Sequence, residues 1–241
     1  MRTTLALWVY IVTNLHVSTA AMNNSGIITP LIIHGQNAAA GEFPWIVSIN
    51  VLNPNGNGES NIKCAGTLIG VDRVATAAHC LMENDKLISP RRLLVLAGAH
   101  NIYAREPTIQ PKSVQRVIPH PEYRGAPDFT GPDVGIIILN TAVDLNPDDQ
   151  HPRVDTIPLC AQEPADDDVL IAAGWGWTRP DGGFPLQLQR ITLPKVTRPD
   201  CIARWGTDLA IIEDMLCAGG LQGHDVSYLR QSINQKDKPK N

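Results

Sequence analysis

The stretch ATAAHC, residues 75–80, is the most informative part of the sequence. Its alanines leave the side chain of His79 sterically accessible, and Cys80 directly behind it offers a covalent anchor. A bridge from Cys80 to the upstream Cys64 would hold the backbone at His79 and would contribute about 2–4 kcal/mol to stability. Taken alone, such a histidine is more often a buried structural residue than a catalyst, so both interpretations stay open at this point.

The chain around this stretch is a series of short apolar or alternating runs separated by turn residues. These runs are rich in Val, Ile and Leu, and 19 Gly and 19 Pro are spread through the 241 residues. This pattern predicts an all-β sandwich or barrel. Short helices are predicted only at 199–205 and in a patch after His79. The predicted strands are 45–51, 66–70, 92–98, 113–118, 133–139, 169–177 and 187–193.

Two further local patterns stand out. Asp133 in GPDVGIIIL (131–139) is an acid at the start of a fully apolar run, where a strand begins and a loop ends. A turn-forming Asp after Gly-Pro is the alternative interpretation. In AAGWGWT (172–178) two glycines separate two tryptophans, which indicates close backbone packing at a strand end and nothing catalytic by itself.

Taken together, these motifs resemble the trypsin- and chymotrypsin-like serine proteases in order and spacing, from Ile32 to Asp225. The resemblance implies two perpendicular six-stranded β-barrels with the active site between them. It also implies that His79 is the general base and that Asp133 orients it, since an imidazole must take the nucleophile's proton and a carboxylate must fix its tautomer. The motifs are IIHGQNAAAGEFPW (32–45), CAGTLI (64–69), TAAHC (76–80), DVGIIIL (133–139), GWGWT (174–178) and MLCAGG (215–220).

The sequence departs from this family at the nucleophile. The family's Gly-Asp-Ser-Gly-Gly-Pro run occurs nowhere in the 241 residues. Asp225 aligns with the substrate-binding acid at the base of the specificity pocket of the trypsin-like branch, which implies a preference for Arg or Lys, but it leads into VSYLRQ (226–231). Ser227 and Ser232 lack the flanking glycines that would expose a nucleophile and build an oxyanion hole. We therefore expect a truncated domain with an incomplete second barrel and no catalytic activity.

The N-terminus is typical of a secretory signal peptide, because Arg2 precedes a short apolar run and small residues follow it. A membrane span needs about 20 apolar residues, and this run has fewer than half that number. We expect a secreted, extracellular protein. The predicted segments are a signal peptide at 1–20, a short propeptide at 21–31, a C-terminally truncated trypsin-like serine protease domain at 32–225 and an unrelated polar tail at 226–241, which composition predicts to be disordered.

The chain has five cysteines, and in an oxidising compartment five cysteines leave one over. The resemblance implies bridges between Cys64 and Cys80 and between Cys201 and Cys217. It leaves Cys160 as a free or intermolecular thiol.

The resemblance also assigns roles near the N-terminus. Ile32 matches the residue whose freed amino group pairs with the Asp before the catalytic Ser in an activated zymogen, and that Asp is absent here. Leu31 stands where the family usually has Arg or Lys, which argues against a trypsin-type activator. Asn23 lies in an Asn-Asn-Ser glycosylation sequon.

Composition argues against other classes of function. The net charge is −4 and no run of Lys or Arg is long, so we expect no nucleic-acid partner. The acidic stretch EPADDDV (163–169) lacks the spacing of a calcium-binding loop, and the seven histidines show no HExxH motif. We therefore expect no metal, no cofactor and no membrane partner. The expected partner is a protein or peptide substrate, or a protein partner if the chain is a non-catalytic homologue that acts as a secreted decoy or regulator through its first barrel.

Overall fold

The computed structural model describes residues 35–53, 60–104, 106–124, 132–145, 154–160, 162–176, 185–205 and 216–219. Outside these ranges lie the predicted signal peptide, propeptide and tail, together with Asn23, Ile32 and Asp225. The strands are β1 (Gln36–Asn37), β2 (Ile46–Leu52), β3 (Ser60–Gly70), β4 (Arg73–Thr76), β5 (Met82–Glu83), β6 (Lys86–Leu87), β7 (Leu93–Ala97), β8 (Gln110–Pro119), β9 (Gly135–Leu139), β10 (Val169–Gly174), β11 (Gln189–Val196) and β12 (Cys217–Ala218), and the α-helix is α1 (Arg198–Trp205).

Six of these strands close into an antiparallel barrel in the order β2-β3-β4-β9-β8-β7, with β7 pairing back onto β2. Val47 in β2, for example, opposes Gly66 in β3 on one side and Ala97 in β7 on the other. Closure removes the unpaired edges that an open sheet would expose. The all-β class and the first six-stranded barrel are thereby confirmed.

The barrel interior is filled by apolar side chains, and strand β9 shows how they alternate with outward-facing ones. In β9, Gly135, Ile137 and Leu139 are buried while Ile136 and Ile138 are only half-buried. This period of two is what an apolar run needs to pack one face of a strand against a core. A Cβ atom on Gly135 would lie 2.6 Å from Cδ1 of Leu81, so this glycine allows Leu81 to pack directly against β9.

The second sheet is open among the described residues. It has four strands, with β10 along one side of β11 and with β1 and β12 along the other. The second barrel of the expected architecture is therefore not closed by the part of the chain that the structure describes.

A small apolar cluster and a few polar contacts join the barrel to the second sheet. Trp175, only 3% exposed, packs with Phe43 and Leu188 in this cluster. The carbonyl oxygen of His100 accepts two hydrogen bonds, one from the indole Nε1–H of Trp175 at 3.1 Å and one from the backbone N–H of Leu188 at 2.9 Å. Arg190 in β11 adds an ion pair to Glu42 at 2.6 Å.

The structure differs from the sequence prediction just after His79. A short 3-10 helix at Ala78–Leu81 holds this histidine, and the patch predicted to be helical is the hairpin of β5 and β6. Asn84 and Asp85 at its turn have φ of 51° and 59°. Positive φ at both central residues is typical of a type I′ turn, which Asn and Asp tolerate. Within the described ranges, no helix is long and apolar enough to cross a membrane.

Replacing Ile137 tests how strongly the barrel core stabilises the fold. Ile137 is fully buried, so I137A leaves a cavity and is expected to lower the free energy of unfolding by about 2–5 kcal/mol. Urea unfolding followed by circular dichroism measures this. Ile138→Ala, on the outward face of the same strand, is the matched control and is expected to cost clearly less. Equal losses in the two variants would contradict this assignment of the inner face.

Candidate active site

The position of His79 is set by the last residue pair between strands β4 and β9 of the barrel. Thr76, the last residue of β4, pairs with Gly135, the first residue of β9. His79 follows Thr76 by three residues and Asp133 precedes Gly135 by two, so the register of this one pair brings both to the same rim of the barrel. Ala77 and Ala78 are buried at this turn.

The carboxylate of Asp133 binds His79 at two points. Its Oδ1 accepts the backbone N–H of His79 at 2.9 Å, and its Oδ2 lies 2.6 Å from the imidazole Nδ1. The side chains are 29% and 14% exposed, respectively, for His79 and Asp133, so the pair is shielded but open to solvent on the histidine side. With Nδ1–H donated to Asp133, Nε2 is the nitrogen left to accept a proton from another group.

A disulfide anchors the backbone beside this pair. The structure joins Cys64 in β3 to Cys80, the neighbour of His79. The imidazole Nε2 lies 3.5 Å from Sγ of Cys80 and 4.0 Å from Sγ of Cys64. These three ligand-type atoms lie within 4.8 Å of one another, but the two sulfurs are bonded to each other and are not the thiolates that bind metals.

The remaining cysteines lie on the second sheet and its surroundings. Cys201 in α1 is bonded to Cys217 in β12, which ties the helix to the edge of the sheet. Cys160 is an exposed free thiol.

Comparison with known proteins agrees with this geometry. Residues 32–228 match the family model described as Trypsin. The chain belongs to the trypsin family of serine proteases.

Several individual proteins are similar to this family member. It is 27% identical over 198 residues to coagulation factor IX of Cavia porcellus, an alignment that covers 80% of this chain and 62% of the relative. It is 30% identical over 191 residues to chymotrypsin-like elastase family member 1 of Macaca fascicularis, with 78% of this chain and 66% of the relative covered. A solved structure described as "Structure of GrC" superimposes with a TM-score of 0.66 at 27% identity, covering 82% of this chain and 79% of that one. The chain thus spans just under two thirds of the length of these two curated relatives.

Tyr123 is a residue near the site of this trypsin-family chain that the sequence reasoning missed. Burial raises the pKa of its phenol to about 12, and the negative charges of Asp133 and Asp85 add to the shift. Its backbone N–H donates to the carbonyl oxygen of His120 at 3.0 Å, which closes a turn. The segment 119–133 is rich in turn residues and has no periodic apolar pattern, so nothing in the sequence indicates that Tyr123 is partly buried.

Changing Asp133 tests whether its carboxylate fixes the imidazole. In Asp133→Asn, the amide cannot accept the Nδ1 proton in the same way and favours the wrong tautomer. We expect the strongly downfield proton resonance of a short Nδ1–H to carboxylate hydrogen bond in the parent chain and its loss in the variant, as measured by proton NMR. Asp72→Asn, which removes only a surface pair with Arg73 at 3.3 Å, is the control and keeps the resonance. A resonance that survives in D133N would contradict the pairing.

The phenol of Tyr123 gives a prediction for alkaline pH. The folded state holds this proton more tightly than the unfolded chain, whose phenol has the ordinary pKa of 10.0. The contribution to stability is therefore complete below pH 10 and is lost as the pH rises through about 12. Tyr123→Phe is expected to flatten the fall of stability in this window and to remove the last phenolate absorbance change in a spectrophotometric titration. Tyr103→Phe, at an exposed position, should leave that late change intact.

Proposed function

We propose that this chain is a secreted member of the trypsin family whose site is arranged for hydrolysis of peptide bonds in protein or peptide substrates. His79 is the general base and Asp133 is the acid that orients it. The observation that carries this proposal is the 2.6 Å contact between Nδ1 of His79 and Oδ2 of Asp133. In this arrangement Nε2 takes the proton of an attacking hydroxyl, while the carboxylate stabilises the imidazolium that forms.

We further propose that these 241 residues, as they stand, do not turn over substrate. The sequence holds no Gly-Asp-Ser-Gly-Gly segment, and Ser227 and Ser232 have no adjacent glycine. In a protease that works by the same logic, loss of the nucleophile alone lowers turnover roughly a million-fold. A base and its orienting acid have no attacking oxygen to activate without that residue.

The parts of the function that concern specificity and activation rest on residues outside the described ranges. Asp225 would favour substrates with Arg or Lys at the cleaved bond. Ile32 would become the N-terminus after removal of residues 21–31, and Leu31 before it makes a trypsin-type activator a poor fit. The leader-like residues 1–20 and the two disulfides support secretion.

A non-catalytic role is the second candidate, and one observation favours it. The first barrel is closed by its own six strands and filled by its own apolar core, which includes Ile49, Leu68 and Ile137. It therefore offers a folded surface that does not depend on completion of the second sheet. Such a surface suits a secreted decoy or regulator that binds a protein partner.

The test of the catalytic proposal compares the secreted chain with its His79→Ala variant on peptides that carry Arg or Lys before the cleaved bond. We expect the same background rate from both. Hydrolysis by the parent chain that disappears in H79A would contradict the missing nucleophile. A fluorophosphonate probe would then locate the serine, with S227A and S232A as the two diagnostic variants.

Sequencing of transcripts across the codon for Asp225 separates the two candidate functions. A longer message that continues into Cys and a Gly-Asp-Ser-Gly-Gly segment supports a secreted endopeptidase. If every message reads VSYLRQ and the secreted protein is present, the endopeptidase proposal fails and the binding role becomes the working model.

A further inference from the structure

Strand β10 has an open edge among the described residues. Its other edge pairs with β11 from Val169 opposite Pro194 to Gly174 opposite Gln189. The carbonyl oxygen of Pro194 accepts the backbone N–H of Gly219 at 3.0 Å, on the β12 side of β11. The backbone C=O of Pro194 therefore points away from β10. The backbone N–H and C=O groups of its partner Val169 must then point away from β11.

The same alternation fixes the other residues of this edge. Lys195 donates its backbone N–H to the carbonyl oxygen of Asp168 at 3.1 Å. Asp168 and Lys195, next to the pair of Val169 and Pro194, are therefore hydrogen-bonded to each other. It follows that Val169, Ile171 and Ala173 direct their N–H and C=O groups toward the open edge. Such a row of unpaired backbone groups is a template for a further strand.

An acidic loop, residues 163–168, leads directly into this open edge. Its carboxylates are Glu163, Asp166, Asp167 and Asp168. The ammonium of Lys195, with its side chain only 7% exposed, binds Glu163 at 3.1 Å and Asp166 at 3.0 Å. Four carboxylates and one ammonium leave a net charge of −3 at the Val169 end of β10.

We propose that segment 226–241 of this same chain occupies the edge of β10, with residues 226–229 added as an antiparallel strand and the basic residues after them lying on the acidic loop. The four residues are Val-Ser-Tyr-Leu, and Val and Tyr are common in strands. Arg230, Lys236, Lys238 and Lys240 with Asp237 give residues 230–241 a net charge of +3.

The direction of the strand and the reach of the chain both fit. An antiparallel strand of four residues that ends beside Val169 begins beside Ala172, so Arg230 emerges next to the acidic loop. From Gly219, beyond β12, the start of this strand is roughly 10 Å along the sheet and about 14 Å across it, a straight-line distance of about 17 Å to which the passage over the face of the sheet must be added. The seven residues from Gly219 to Val226 span at most roughly 23–25 Å.

A second copy of the chain is the competing occupant of this edge. It fits less well, because pairing β10 with β10 of a second copy brings no cationic segment to the acidic loop. A tethered segment also has an effective concentration in the millimolar range, far above that of a dilute protein.

Amide hydrogen exchange in the full chain tests the proposal. We expect the edge-facing amides of Val169 and Ile171, which lie beside the added strand, to exchange slowly. A double substitution to proline, S227P/Y228P, removes the N–H groups of both adjacent residues and is expected to speed exchange at these amides about tenfold or more. The matched control is S232P/I233P, which lies outside the added strand and leaves the protection in place. The amides of Leu170 and Ala172, bonded to β11, report that the sheet itself is intact in every variant.

Charge reversal tests how much the ionic attraction between segment 226–241 and the acidic loop contributes to the protection of the edge amides. K236E/K238E is expected to weaken the protection several-fold at low salt, and adding D167K to this variant is expected to restore part of it, since Asp167 is exposed and lies in the acidic loop. Fast exchange at the amides of Val169 and Ile171 in the parent chain, or protection that survives S227P/Y228P, overturns the proposal. Protection that rises with protein concentration also overturns it and assigns the edge to a second copy.

Discussion

The contact between the Asp133 carboxylate and His79 depends on the closure of a barrel, because the two residues are 54 positions apart in the chain. One carboxylate holds both the backbone and the ring of the histidine, so neither the position of the turn nor the orientation of the imidazole is left to vary. The barrel rim, the alanines of the turn and the Cys64–Cys80 bridge all serve to keep this contact in place. Preorganised groups of this kind avoid reorganisation when a proton is transferred.

Among the described residues, the chain divides into a closed barrel and an open sheet, and the two contribute different groups. The barrel holds the imidazole of His79, whose Nδ1 contacts Asp133 and whose Nε2 lies beside the Cys64–Cys80 disulfide. The second sheet contributes Trp175 and Arg190 to the joint between the two units but, within the described ranges, no hydroxyl beside Nε2 of His79.

Many of the strands could be predicted from the sequence, and the correct predictions share one cause. Runs such as GIIIL have an apolar period of two or are apolar throughout, and the folded strand buries residues according to the same pattern. Strand β4, Arg-Val-Ala-Thr, is too short to show a period, and its strand character comes from pairing with β3 and β9. Tyr123 was missed for a similar reason, since its burial depends on packing of a loop that has no periodic signal.

The carbonyl of His100 has a mechanical consequence. This single oxygen receives both Trp175 and Leu188, one from each of two segments that belong to the second sheet. A rotation of the sheet against the barrel would have to break both hydrogen bonds together, and the freed carbonyl would lie in a largely apolar joint. The two units are thereby expected to keep one relative orientation. Small displacements from it are resisted stiffly, and a large displacement requires both hydrogen bonds to break together.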